Sequence, residues 1–193
     1  MDLEYFPLAG IVRIVPVRFG DRRGYFSEVF RDLWFRENVA DVTFVQENQS
    51  FSAASGTVRG LHFQLGPFAQ GKLVRCVAGA IFDVAVDIRR GSPSYGQWVG
   101  AELSAANGAQ IWLPAGFAHG FVTLEPGTVV QYKVTAPYSA RDERGVSWND
   151  PDIGIAWPVA ESDAVLSDRD RALPRLVDLA PVSSLSPNLE LAG

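Results

Sequence analysis

The chain is short of the residues that bind metals and make cross-links, with two histidines and one cysteine among 193 residues. Two imidazoles cannot build the three-histidine metal sites common in small β-barrel enzymes. The single thiol, Cys76, cannot close an internal disulfide, so a disulfide-stapled secreted scaffold is excluded and a reducing cytoplasm is the expected setting. No stretch approaches the ~18 uninterrupted apolar residues that cross a bilayer. The start Met1-Asp2-Leu3-Glu4-Tyr5 lacks the charged and apolar regions of a signal peptide, so no membrane partner is expected. Positive charge is scarce too: 17 Lys and Arg against 22 Asp and Glu leave a net charge of −5. That balance argues against a broad nucleic-acid surface and leaves any anionic ligand to a few placed arginines.

What is present suits one compact domain spanning 1–193, a length that can bury a single large core. The 18 glycines and 12 prolines imply many turns rather than long helices. Residues 11–30 read as two short strands around the Gly20–Gly24 turn, and 31–40 as a short amphipathic helix with Leu33, Trp34 and Val39 on its apolar side. From 42 to 135 eight strand-like runs follow at a spacing of about 8–12 residues, each bounded by Gly, Pro, Asn or Ser, which predicts an antiparallel sandwich or barrel. Asp83 and Asp87 interrupt the apolar run 80–86 or border it. A carboxylate in a core strand is costly unless it is hydrogen-bonded or faces a polar cavity, so the interior is expected to be partly wet. The segment 166–179 reads as a loop and a short helix, and 181–193 as a loosely ordered tail.

Both histidines lie in motif-like strings, Arg59-Gly60-Leu61-His62-Phe63-Gln64 and the run from Gly108 to Phe121 that contains His119. The second string fits G-x5-P-x-G-x2-H and resembles the second motif of the cupin jelly rolls. The His-x-His of metal-binding cupins is replaced here by His62-Phe63-Gln64, which removes the ligands for a metal. More specifically, the strings Gly20–Glu28, Phe44–Ser50, Val58–Gln64, Ala69–Arg75, Phe82–Arg89, Phe117–Phe121, Trp148–Pro151 and Leu166–Asp170 resemble, in order, the dTDP-4-dehydrorhamnose 3,5-epimerase family over roughly residues 5–175. The resemblance implies an all-β, cupin-type jelly-roll barrel with a few short peripheral helices. It implies an isomerase that needs no cofactor or metal and acts on a dTDP-4-dehydro-6-deoxyhexose, and a homodimer that exchanges N-terminal strands.

The chemistry constrains the roles independently. C3 and C5 flank the C4 ketone, so removing either proton gives an enolate with charge on O4. An imidazole titrates near pH ~6.5 and suits a general base; His62, beside the polar Arg59 and Gln64, is favoured over a merely hydrogen-bonded interior histidine. By resemblance Asp170 orients it, where position alone would make Asp170 a solvated carboxylate. Lys72 is the candidate for enolate stabilisation, with Asp83 anchoring its ammonium, although position alone would make Lys72 a strand-edge lysine in water. Tyr132 matches the family's acid on the opposite face, the alternative being a core tyrosine. His119 is assigned by resemblance to substrate phosphate or sugar binding at the mouth of the site. Arg23 and Arg59 are candidates for clamping the diphosphate, and Phe19, Phe26 and Tyr138 for stacking on the base. Glu28, Gln46, Asn48, Glu143 and Arg169 match further binding positions, some of which could come from a second subunit. Where the family often has Asp-Asn-His-Ser, this chain has Glu47-Asn48-Gln49-Ser50, which changes one polar group expected near the pocket. Cys76 is read as an inert buried thiol. A 3- or 5-epimerase of a secondary-metabolite deoxysugar, a metal-dependent cupin and an inactive sugar-nucleotide-binding module stand as alternative readings.

Overall fold

Alternation of apolar side chains along the strands places residues on both faces of each main sheet. On the strand Lys72–Ala78, Val74 and Cys76 join one buried cluster and Leu73 joins another on the opposite side. A sheet buried on both faces needs a second sheet on one side and a cover on the other. The computed structural model describes residues 1–179 and shows that arrangement; the predicted loose tail 181–193 lies outside the described residues.

The strands in chain order are β1 (Asp2–Tyr5), β2 (Val12–Val15), β3 (Phe19–Asp21), β4 (Gly24–Phe26), β5 (Gln46–Ser52), β6 (Val58–Gln64), β7 (Lys72–Ala78), β8 (Ala80–Asp87), β9 (Trp98–Ser104), β10 (Gln110–Leu113), β11 (Phe117–Thr123), β12 (Thr128–Val134) and β13 (Glu143–Gly145), with helices α1 (Asp32–Asn38) and α2 (Asp168–Arg171). One antiparallel sheet has the order β1-β2-β10-β7-β12-β5, the other β13-β6-β11-β8-β9, and β3 and β4 form a separate hairpin. The result is the expected all-β jelly roll. Val74, Ile111 and Val130 of the first sheet meet Ile81, Phe117 and Phe121 of the second in the shared core. No helix of the described residues is long and apolar enough to cross a membrane.

Three sequence expectations are corrected. Helix α1 buries Phe35 against Trp112, Leu73 and Val12, with Trp34 and Val39 packed beside it, whereas Leu33 is 65% exposed. Phe35 lies one position off the expected stripe because an edge-on aromatic group, with Phe44 at 5.2 Å and Trp112 at 5.3 Å, draws it in. The region 11–30 contains three strands, not two: Val12–Val15 pairs into the large sheet and only Phe19–Phe26 forms the hairpin. Strands β1 and β13 were not anticipated, because each is short and gains its pairing from a distant partner.

Gly60 fixes how β6 meets β11. Its φ is +116°, and a Cβ there would come within 2.7 Å of both Gly120 Cα and His119 O. Only glycine tolerates this close backbone crossing. Around it the register between β11 and β6 shifts: His119 faces His62, and two residues on Phe121 faces Arg59. Both histidines and Arg59 are thereby gathered on adjoining strands.

Candidate functional site

A cavity of about 240 Å³ is lined by Gln46, Asn48, Lys72, Tyr132, Tyr138 and Glu143, six positions singled out from the sequence, together with Phe63, Gln64 and Gln70. Period-two alternation on β5 decides which polar residues reach it. Gln46 and Asn48 face the cavity, and the Gln46 amide donates to Asn48 Oδ1 at 2.7 Å. Glu47 and Gln49 point the other way, Glu47 accepting from Lys133 Nζ at 3.0 Å and Gln49 from Gln131 Nε2 at 2.8 Å. The expectation that Gln49 changes the pocket is therefore corrected. It sits one residue out of phase with the lining and belongs to the outer surface.

His62 is held from outside the sheet. Helix α2 begins at Ser167, whose hydroxyl accepts the Asp170 N–H at 3.1 Å, an N-cap that fixes the first turn. This presents the buried Asp170 to His62, Nε2 to Oδ1 at 2.6 Å. Burial works to raise the Asp170 pKa, but the His62 hydrogen bond and charge and the Ser167 hydroxyl outweigh it, so the carboxyl stays below its ordinary value. An ionised carboxylate can only accept, so His62 donates from Nε2 and, when neutral, keeps its lone pair on Nδ1.

Lys72 is buried on β7 and its Nζ donates to the His62 carbonyl at 3.3 Å. Burial lowers its pKa to about 8, against the opposing fields of Asp83 and Glu143. Asp83 forms no ion pair with it among the described residues; its Oδ2 instead accepts from His119 Nε2 at 2.8 Å. Two expectations change together. Asp83 does not anchor the Lys72 ammonium by direct contact, and His119 is not at the mouth but 8% exposed inside the barrel. The reason is topological: β8 and β11 are neighbours, and their inward side chains meet before either reaches β7.

Tyr132, inward on β12, has its pKa raised by burial and by the charge of Glu143, with Arg59 opposing, so the phenol holds its proton at neutral pH. At the rim, Glu143 Oε2 accepts from Tyr138 Oη at 2.6 Å and pairs with Arg169 Nη2 at 2.6 Å. Burial would raise the Glu143 pKa, yet these two partners bring it below the ordinary value. Two glutamines set this rim: Gln64, read from the sequence only as a polar neighbour of His62, and Gln70, which sequence reasoning missed. Gln64 donates to the Phe68 and Pro137 carbonyls and accepts the Ser139 N–H at 2.6 Å, and Gln70 donates to the Ala136 carbonyl at 2.8 Å. Together they pin the segment that carries Tyr138. Their only signal in the sequence is membership of the strings around His62 and Lys72.

Other candidates are not brought to the cavity within one chain. Phe19, Arg23 and Phe26 sit on the β3–β4 hairpin, with Phe26 70% exposed and Arg23 tied to Asp21 at 2.6 Å. Glu28 faces Arg31 at 3.5 Å just beyond it. Arg59 donates to the Phe51 carbonyl at 2.9 Å and to Ser52 Oγ at 3.2 Å, near enough to Tyr132 for its charge to act there. The Cys76 thiol is buried, with its pKa pushed up to about 11 by burial. Among the described residues no three His, Cys, Asp or Glu side chains converge on a common point.

The model of the dTDP-4-dehydrorhamnose 3,5-epimerase family matches residues 5–178. A dTDP-4-dehydrorhamnose 3,5-epimerase of Sinorhizobium fredii is 63% identical over 186 residues, covering 95% of this chain and 94% of the relative. A crystal structure of dTDP-6-deoxy-D-glucose-3,5-epimerase from Legionella pneumophila, in complex with dTDP-4-keto-L-rhamnose, superimposes with a TM-score of 0.88 at 41% identity, covering 93% of this chain and 94% of that one. The Bacillus anthracis dTDP-4-dehydrorhamnose 3,5-epimerase, solved with TDP and pyrophosphate bound, gives 0.87 at 46% identity, covering 90% and 98%.

Proposed function

The chain belongs to the dTDP-4-dehydrorhamnose 3,5-epimerase family, and from that premise we propose that it converts dTDP-4-dehydro-6-deoxy-D-glucose to dTDP-4-dehydro-L-rhamnose by inverting C3 and C5. The observation that carries this reading is the convergence in one region of a carboxylate-paired imidazole, a buried lysine and a buried phenol. His62, oriented by Asp170, removes the proton α to the ketone through Nδ1. Lys72 stabilises the charge that develops on O4, where a buried cation is worth far more than one in water. Tyr132 returns a proton from the other face, and its raised pKa keeps that proton available. Repeating the cycle at the second carbon completes the double inversion.

The nucleotide half of the substrate is assigned to Arg59, Tyr138, Glu143 and Arg169 at the rim, with Gln46, Asn48 and His119 toward the sugar. Phe19, Arg23, Phe26 and Glu28 act on this reading from a second copy, whose hairpin supplies the aromatic faces and a guanidinium that the single chain leaves in solvent. An exposed hairpin with two bare phenylalanines supports a homodimer of this kind. A cytoplasmic location is supported by the one buried, unpaired thiol. Turnover without added metal is expected because two histidines are too few for a three-imidazole site, and among the described residues no three His, Cys, Asp or Glu side chains converge.

The test is incubation with the 4-ketosugar nucleotide in deuterated water, with label and configuration read by NMR and a parallel arm after exhaustive chelation. Deuterium at both C3 and C5 with inverted configuration is expected. Label confined to one carbon would replace the double epimerase with a single one, absence of label would sink the enolate mechanism, and loss on chelation restored by a divalent ion would revive the metal-dependent alternative.

A further inference from the structure

The hairpin of β3 and β4 pairs with no other strand among the described residues, and every residue of both strands is exposed. A two-stranded hairpin is at best marginally stable in water, so whatever fixes its direction must act where it leaves the barrel. Both legs are tied there. Ser27 Oγ donates to the Val17 carbonyl at 2.9 Å and closes the base, and farther along the second leg Gln110 Nε2 donates to the Val29 carbonyl at 2.5 Å. Arg18 makes the remaining tie. Its guanidinium donates from Nη1 to the Ala106 carbonyl at 2.5 Å and from Nη2 to the Ala105 carbonyl at 2.8 Å, and it lies over the Tyr25 ring of β4 with Cζ 4.4 Å from the centroid. One planar group thus joins the first leg of the hairpin, the ring of the second and the turn between β9 and β10.

The turn that receives Arg18 is itself held rigidly. Asn107 Oδ1 accepts the Ser104 and Ala109 N–H groups at 3.0 and 2.9 Å, its Nδ2 donates to the Glu102 carbonyl at 3.0 Å, and Ser104 Oγ accepts the Asn107 N–H at 3.0 Å. Gly108 has a φ of +65°, and a Cβ there would come within 2.5 Å of Arg18 Nη2. Glycine is required twice over, by the backbone and by the guanidinium that lies against it.

We infer that Arg18 is a positioning residue for nucleotide binding: it latches the β3–β4 hairpin to the β9–β10 turn and so sets the direction in which Phe19, Arg23 and Phe26 are carried outward. The inference rests on the proposed reading that this hairpin completes the site of a second copy. Phe19 follows Arg18, Phe26 follows Tyr25, and the two phenylalanines are register partners. Successive extended residues point to opposite faces. Arg18 and Tyr25 line a cavity against Arg75 and Gln110 of the barrel, which leaves Phe19 and Phe26 on the other face, 63% and 70% exposed. Without the guanidinium the hairpin loses its tie to the turn, and the two rings and Arg23 spread over orientations that do not meet a nucleotide. The loss falls on binding rather than on chemistry, because the Asp170–His62 pair, Lys72 and Tyr132 are held by other elements.

The test is Arg18→Ala, with hydrogen exchange of the hairpin amides read by mass spectrometry, dTDP affinity by calorimetry, and kcat and KM on the 4-ketosugar nucleotide. Exchange across residues 18–27 is expected to quicken by about tenfold, and the Kd for dTDP and the KM to rise by about tenfold, with kcat at saturation within about twofold of the parent. Arg18→Lys, whose ammonium lacks the planar fork that spans both carbonyls, should fall between the two. Gly108→Ala strikes the same contact from the turn, so it should raise the Kd for dTDP by itself and add little on top of Arg18→Ala. Unchanged exchange or unchanged dTDP affinity in Arg18→Ala, a loss confined to kcat, or full additivity of the two variants would overturn the inference. Light scattering and turnover of the parent judge the proposed function separately: a monomeric or inactive parent faults that reading, whereas the latch is decided by exchange and dTDP affinity, neither of which needs turnover.

Discussion

Two carboxylate–imidazole pairs face each other across adjoining strands, His62 with Asp170 at 2.6 Å and His119 with Asp83 at 2.8 Å. Their contacts are alike and their surroundings are not. The His62 side chain is 27% exposed and that of His119 is 9%. Asp170 reaches His62 from a capped helix 108 residues away and has a further donor in the Gly60 backbone, whereas Asp83 lies on the strand next to His119 and keeps one oxygen unmatched among the described residues. A base must exchange protons with substrate and solvent at every turnover, so the pair with access suits proton transfer. The more enclosed pair, with the His119 side chain 9% exposed, suits holding a bound group in place. The same two functional groups acquire different work from access and from how completely each carboxylate is satisfied.

The sharpest way to break this comparison is to strike the two imidazoles separately. His62→Asn is expected to lower deuterium wash-in at C3 and C5 by about 10³-fold or more, while His119→Asn keeps wash-in at a reduced rate. Equal losses, followed by NMR exchange at both carbons, would erase the distinction. Asp170→Asn should fall between them, at about 10²-fold in kcat, since the ring survives and only its orientation and tautomer are released.

Tyr132→Phe comes next in size. It leaves the base and Lys72 in place, so exchange continues and His62 returns the proton to the face it came from. Inversion at one or both carbons should drop by about 10²-fold while label still enters with retained configuration. Full epimerisation in this variant would place the acid elsewhere, and His119 would then be the group to test.

The smallest effect concerns a carboxylate that has all its donors. Asp87 is held at a pKa of about 2: burial would raise it, and the Arg89, Ser92 and Ser94 hydrogen bonds outweigh that. A carboxyl lowered in the folded state stabilises the protein above its ordinary value of 3.8 and loses that contribution as pH falls toward 2. Asp87→Asn should therefore cost about 2 kcal/mol at neutral pH and flatten the acid limb of stability between those values, with epimerase activity per folded molecule unchanged. Chemical denaturation across that pH range checks it. A loss of turnover in the folded variant would mean that buried carboxylates in this barrel cannot be sorted by how well they are satisfied.

Much of the fold was legible because strand alternation and turn residues are local signals. The eight runs between 42 and 135 correspond to β5 through β12 within a few residues, and the short helix near 31–40 is present. The phase of that helix was not legible: Phe35 goes inward through contacts with Phe44 and Trp112, which no local pattern announces. At the site, Lys72, Tyr132, Glu143, Gln46 and Asn48 could be named from their strings and do line one cavity. The shared task of Gln64 and Gln70 was not legible because it is to hold a loop whose position only the folded chain defines.

The sequence by itself determined which chemistry the protein can carry. Two histidines, one cysteine and an acidic balance limit its sites, and polar residues set into apolar strands mark an interior with work to do. Tertiary structure alone decided the partners. Whether Asp83 meets Lys72 or His119, and whether Gln49 or Asn48 faces the cavity, depends on strand order and on a one-residue register, since a shift of one residue turns a side chain to the opposite face. The close crossing at Gly60 sets where His62 and Arg59 stand against β11. Those relations join residues tens of positions apart through backbone pairing, and no local stretch of sequence contains them.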